Sequence, residues 1–179
     1  EVVLTSPEDK DTGLQLTRTV QLFGGSSQLR VTDKLTNVRA RAAEWAVAQV
    51  TRVPGSLQSG ERFSDKSRLY LPLSPDSRFE GGFRLRDAGG GGQFQALTPL
   101  LLQVAYQGQE GSALSDSAGG WVAHVDGVHN YALVQRYPVS KLGDYPEQGV
   151  RAVLRAVGAQ PCLEITLLSV VFNLQSGDS

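Results

Sequence analysis

In 179 residues this sequence has no methionine, one cysteine and two histidines, and each scarcity removes a class of function. A lone Cys162 builds neither a disulfide framework nor a cysteine-rich metal site, and it says nothing of compartment. His124 and His129 stand five apart across an expected turn. Metal coordination asks for His at i, i+2 on a strand or i, i+4 on a helix with a converging carboxylate, so no metal and no cofactor are expected. Charge of one sign is not in excess: 17 basic and 18 acidic side chains give a net charge of −1, which leaves no basic excess for nucleic acid. No apolar run approaches the ~20 residues of a membrane-spanning helix, and the longest, residues 163–174, is broken by Glu164, Thr166 and Ser169. A Gly-x-Ser-x-Gly elbow and a Ser/His/Asp order are both missing, which excludes triad hydrolysis. The glycine run at residues 89–92 is followed by Gln93-Phe94, where a phosphate-binding loop needs Lys-Ser or Lys-Thr. With Glu1 first and no Met, the sequence is expected to be part of a longer chain.

What the sequence does have is turn chemistry and alternation. Twenty glycines and eight prolines punctuate short runs of period two, the pattern of an all-β chain, and the length suits one domain, residues 1–179. Residues 14–51 carry the clearest signal. Leu14, Leu16, Val20 and Leu22 alternate with polar neighbours, Gly24-Gly25-Ser26-Ser27 turns the chain, and Leu29, Val31 and Leu35 alternate again, so a hairpin is expected. Closing that loop on Phe23 and Gln28 sets Arg18 opposite Asp33 on the apolar face. An unpaired charge is costly there, so the two side chains are expected to meet. Residues 39–51 are ambiguous between helix, by Ala, Arg and Glu content, and a strand around Trp45. Further strands are expected at residues 2–5, 67–73, 100–106, 121–125 and 131–137, the last two forming a hairpin around Asp126-Gly127. A final pair is expected at residues 150–157 and 162–172, with a helix over the first of these as an alternative. Residues 74–96 and 108–119, dense in Gly and Ser, read as flexible loops.

The order Leu4-Thr5-Ser6-Pro7, Thr12-Gly13-Leu14-Gln15-Leu16-Thr17-Arg18, the segment 29–37 and a strand centred on Trp45 resembles an uncharacterised bacterial family of the galactose-mutarotase-like superfamily. Trp121-Val-Ala-His-Val-Asp126, Leu133-Val-Gln-Arg-Tyr-Pro138, Cys162-Leu-Glu-Ile-Thr-Leu-Leu-Ser169 and Phe172-Asn-Leu-Gln-Ser-Gly-Asp-Ser179 are similar to later segments of that family, in the same order. The resemblance implies an antiparallel β-supersandwich that handles carbohydrate on one sheet. It also implies that this sequence lacks N-terminal and C-terminal strands of a longer domain, supplied by the remainder of its own chain or replaced by a homo-oligomer.

In aldose epimerases, which the chain resembles at a distance, a late-strand Glu is the base and a His near the Asn-led turn is the acid. Glu164, in an otherwise apolar run where a carboxylate becomes a general base, matches the first. The family's His-Pro-Tyr-Phe segment reads Trp45-Ala-Val-Ala-Gln49 here, which argues against classical epimerase activity unless His124 substitutes; Glu44, Asp33 and Asp126 are further acids. Sugar binding without catalysis needs an aromatic platform and fixed hydrogen-bonding groups. Trp45, Trp121 and Tyr137 are platform candidates; Arg18, Gln49, Arg136 and Glu164 are polar ones. Three functions follow: a carbohydrate-binding domain, with a sugar or oligosaccharide as partner; a sugar epimerase using Glu164; and a structural β-sandwich without ligand.

Overall fold

A computed structural model describes residues 1–55, 66–86, 88–158 and 162–179. The described chain is all-β with antiparallel sheets. Its strands are β1 (Val2–Thr5), β2 (Leu14–Leu22), β3 (Leu29–Asn37), β4 (Ala43–Trp45), β5 (Ala48–Pro54), β6 (Ser67–Pro72), β7 (Arg84–Arg86), β8 (Phe94–Thr98), β9 (Leu101–Ala105), β10 (Gly111–Ser115), β11 (Trp121–Asp126), β12 (Tyr131–Arg136), β13 (Ala152–Val157), β14 (Cys162–Leu168) and β15 (Phe172–Leu174). Among the described residues no helix is long and apolar enough to cross a membrane. The chain forms two compact units, one of Glu1–Val47 with Val171–Ser179 and one of Ala48–Val170.

In the first unit β1, β2 and β3 form an antiparallel meander. The register of β2 on β3 is the one the four-residue turn dictates, with Leu14 opposite Asn37 and Leu22 opposite Leu29. Arg18 accordingly meets Asp33 in a two-pronged ion pair, its Nε and one terminal nitrogen donating at 2.7 and 2.8 Å. That geometry satisfies both carboxylate oxygens on a face otherwise made of Leu and Val. Strand β4 pairs with β15, and fully buried Asn37 ties them to the meander. Its amide donates to the Arg41 and Leu174 carbonyls at 2.7 and 2.9 Å, and its side-chain oxygen accepts from the Arg39 amide at 3.1 Å.

The second unit is a sandwich of two five-stranded sheets, ordered β5-β14-β13-β10-β7 and β12-β11-β6-β9-β8. Burial alternates strictly along β6, β11, β13 and β14, the signature of strands with one face in the core and one outside. Leu163, Ile165, Leu167, Leu154, Val53 and the small Ala113, Ala152 and Ala156 come from the first sheet. They pack against Leu69, Leu71, Leu102, Val104, Val122 and Phe94 of the second. Large and small side chains share this one cluster, which lets the two layers pack closely, and each fully buried leucine stabilises by roughly 2 kcal/mol.

Two stretches differ from their sequence reading. Residues 108–119 contain β10, a central strand between β13 and β7. Its Gly-Ser-Ala-Leu-Ser sequence has weak strand propensity, yet every residue is buried, and burial between two partners overrides propensity. Residues 74–96 hold β7, short 3-10 turns at Glu80–Gly82 and Ala88–Gln93, and the start of β8, whose Phe94 sits in the core. The ambiguous residues 39–51 become two short strands in separate units, β4 and the start of β5. The helix alternative over residues 150–157 gives way to β13, because both of its neighbours hydrogen-bond to it as a strand.

Candidate functional site

The outward face of the β12-β11-β6-β9-β8 sheet gathers two of the sugar-binding candidates. Because Val122, His124 and Asp126 point inward, Trp121, Ala123 and Val125 point outward. The β11–β12 register sets Arg136 directly opposite Trp121 and Val134 opposite Ala123. Trp121, Val134 and Arg136 line a surface hollow of about 370 Å³, with Gly119 and Gly120 completing its wall. Both glycines are required. A Cβ at Gly119 would fall 2.2 Å from Pro72, and Gly120 has φ +67° with its carbonyl accepting from the Tyr137 amide at 2.9 Å. A side chain at either position is therefore strained or excluded, which leaves the space beside Trp121 open.

The same face continues across the sheet. Tyr70 on β6 pairs with Ala123, one step along β11 from the tryptophan on that face, so Tyr70 and Trp121 are diagonal neighbours about 7–8 Å apart at the backbone. Gln103 on β9, opposite Tyr70, donates its side-chain amide to the Tyr70 hydroxyl at 3.1 Å, and Gln95 on β8 lies opposite Gln103. Arg68, opposite Val125, is the second cation of this face. Sequence reasoning missed Tyr70, Gln103, Gln95 and Arg68. The signal for the first existed, since the alternation of Leu69 and Leu71 already placed Tyr70 on the opposite side from them.

The other candidates are placed elsewhere. Arg18 belongs to the first unit and is committed to Asp33. Trp45, also in the first unit, is paired on β4 with Phe172 and is half exposed. Gln49 lies on the inward side of β5, opposite Leu167. Tyr137 follows Arg136 but turns to the opposite side, packing on the core. Burial pushes its hydroxyl up to about 12, with Arg151 opposing and Tyr145 adding to the shift.

Glu164 and His124 are not brought together. Glu164 projects from the outward face of the β5-β14-β13-β10-β7 sheet, where it accepts from Arg52 Nε at 3.0 Å. His124 is fully buried on the inward side of β11, in the opposite sheet. Its Nε2 lies 2.9 Å from Ser67 Oγ, and that hydroxyl donates to the Pro54 carbonyl at 2.7 Å. The serine proton being used, Nε2 must carry the imidazole hydrogen, which leaves Nδ1 unprotonated; Nδ1 is buried without a hydrogen-bond partner. Desolvation holds His124 below the ordinary imidazole range, against the opposing pull of Asp126 and a bond to Pro54. The ring is thus a neutral interior strut, out of reach of any substrate proton.

Asp126 is also structural. Burial raises its carboxyl, but the His129 ring and the His129 and Val128 amides outweigh that and hold it down at about 2. It fastens the β11–β12 turn. Asp33 is spent on Arg18, and Glu44 lies on β4 in the first unit. Among the described residues no three His, Cys, Asp or Glu side chains gather as a metal site would need. Comparison with protein-family models, curated proteins and solved structures finds no match to this chain.

Proposed function

We propose that this chain binds carbohydrate on the outward face of the β12-β11-β6-β9-β8 sheet, without epimerase chemistry. The observation that carries the reading is the cross-strand pair of Trp121 and Arg136 at one open hollow. An indole beside a guanidinium supplies what a pyranose needs: a flat apolar surface for its C–H face and directed donors for its hydroxyls. Tyr70 and Gln103 extend the same combination along the sheet. The finer reading of the fold, a β-supersandwich of the galactose-mutarotase type, rests on the sequence resemblance and is proposed with it. Catalysis by Glu164 finds no support in its surroundings, because its carboxylate is held by Arg52 and its two cross-strand neighbours are the arginines Arg52 and Arg155.

Isothermal titration against a panel of neutral and charged oligosaccharides tests this. Saturable binding that Trp121→Ala removes is expected; binding that ignores that substitution assigns the site elsewhere. An anomerisation assay accompanies it, and turnover lost in Glu164→Gln would restore the epimerase.

A further inference from the structure

Resting on that reading, we infer that the saccharide bound at this face is anionic, carrying ring carboxylates or sulfate esters that Arg136 engages. Unmatched charge points to it. Arg136 is exposed, and it has no hydrogen-bond or ion-pair partner among the described residues. Moreover, the registers of the five strands place no acidic residue at any outward position. The row positions are Ala132, Val134 and Arg136 on β12; Trp121, Ala123 and Val125 on β11; Arg68, Tyr70 and Pro72 on β6; with Leu101, Gln103 and Ala105 on β9 and Gln95 on β8.

Two cations and no carboxylate among these outward strand positions is the reverse of what the other sheet of the sandwich does. With 17 basic and 18 acidic side chains, acids are plentiful, and the arginines of the other sheet are each set against one. Arg52 meets Glu164, Arg155 meets Glu110, and Arg84 and Arg86 meet Glu147. A neutral sugar asks only for donors and acceptors, and a site built for it serves equally well with its arginine braced by a carboxylate. A bare guanidinium at the edge of an aromatic platform, with its forked donors unspent, is matched instead to a carboxylate or sulfate, which it holds by two parallel hydrogen bonds. Counting along the strands, Arg68 and Arg136 stand about 16 Å apart at the backbone, far enough that they address different rings of a chain and not the same anion.

The test uses three tetrasaccharide probes on the full chain: a galacturonate, the same galacturonate with every carboxyl methyl-esterified, and a sulfated neutral galactan. The expected result is that an acidic probe binds at least roughly tenfold more tightly than the ester, as a charge-assisted bidentate contact provides. That preference should shrink as ionic strength rises. Arg136→Gln should weaken the acidic probe by roughly tenfold and the ester by much less, and Arg136→Lys should restore part of the loss. Whether the galacturonate or the sulfated galactan carries the preference identifies the anion. Equal binding of acid and ester overturns the inference and leaves the carbohydrate reading standing. Binding of none of the three overturns it as well, and silence across a panel of neutral oligosaccharides then removes the carbohydrate reading too.

Discussion

The sandwich has two outward faces that use arginine in opposite ways. On the β5-β14-β13-β10-β7 sheet one row runs Arg52, Glu164, Arg155, Ser112, Arg86 across all five strands, and its cations are closed by Glu164, Glu110 and Glu147. On the β12-β11-β6-β9-β8 sheet Arg136 and Arg68 have no acid among the outward positions of their own strands, and aromatic and amide side chains take the acids' place. A face that neutralises itself has nothing left to offer a ligand. Its ion pairs fix side chains in place and contribute at most about 1 kcal/mol each at such exposure. The face that leaves guanidinium and indole unspent is the one on which we propose binding.

Removing the platform should break this contrast most completely. Trp121→Ala is expected to weaken oligosaccharide binding by about 30-fold or more, the usual consequence of truncating a central aromatic anchor, as read by titration calorimetry. Converting one face into the other comes next: Val134→Glu puts a carboxylate two residues from Arg136 on the same face of β12. It should lower affinity for an acidic saccharide by about tenfold while leaving the unfolding midpoint nearly unchanged. An unaltered affinity there would mean that the arginine was never free to bind.

The reverse experiment, Glu164→Gln, leaves Arg52 and Arg155 flanking a neutral residue. It should cost about 1 kcal/mol in chemical denaturation with no effect on binding. Shallowest of all should be a pH slope arising in the interior that the two faces share. His124 is held below its ordinary value when folded, so the unfolded chain binds the extra proton. Its contribution is then fully present above pH ~6.5 and declines as pH falls below that value. Thermal unfolding across that range should show the decline in the native protein and not in His124→Gln.

Much of the secondary structure could be read from alternation, because a strand with one wet face writes its burial into every second residue. The hairpin shows how far this reaches. Its loop length fixed the register, the register set Arg18 opposite Asp33, and the ion pair follows with no tertiary information. The pairing of β11 with β12 was legible in the same way, but its register was not: the loop runs over four residues, 127–130, and so brings Arg136 opposite Trp121, where a two-residue turn at Asp126-Gly127 would have brought Ala132. Strand β10 was not legible, because Gly, Ser and Ala are turn formers until two neighbouring strands supply the burial.

The amino-acid sequence by itself therefore determined most of the alternating strands, the two sets of side chains each presents, and which pairs oppose one another across the turn at residues 24–27. These are local properties, set by side-chain period and loop length. Only the tertiary structure decided which face of each strand is dry. Glu164, His124 and Tyr137 look like companions of Trp121 and Arg136 in the sequence, but sheet order sends Glu164 to the far face and turns His124 and Tyr137 to the inward side. A period of two tells each residue that it has two choices, and the packing of one sheet on the other makes the choice.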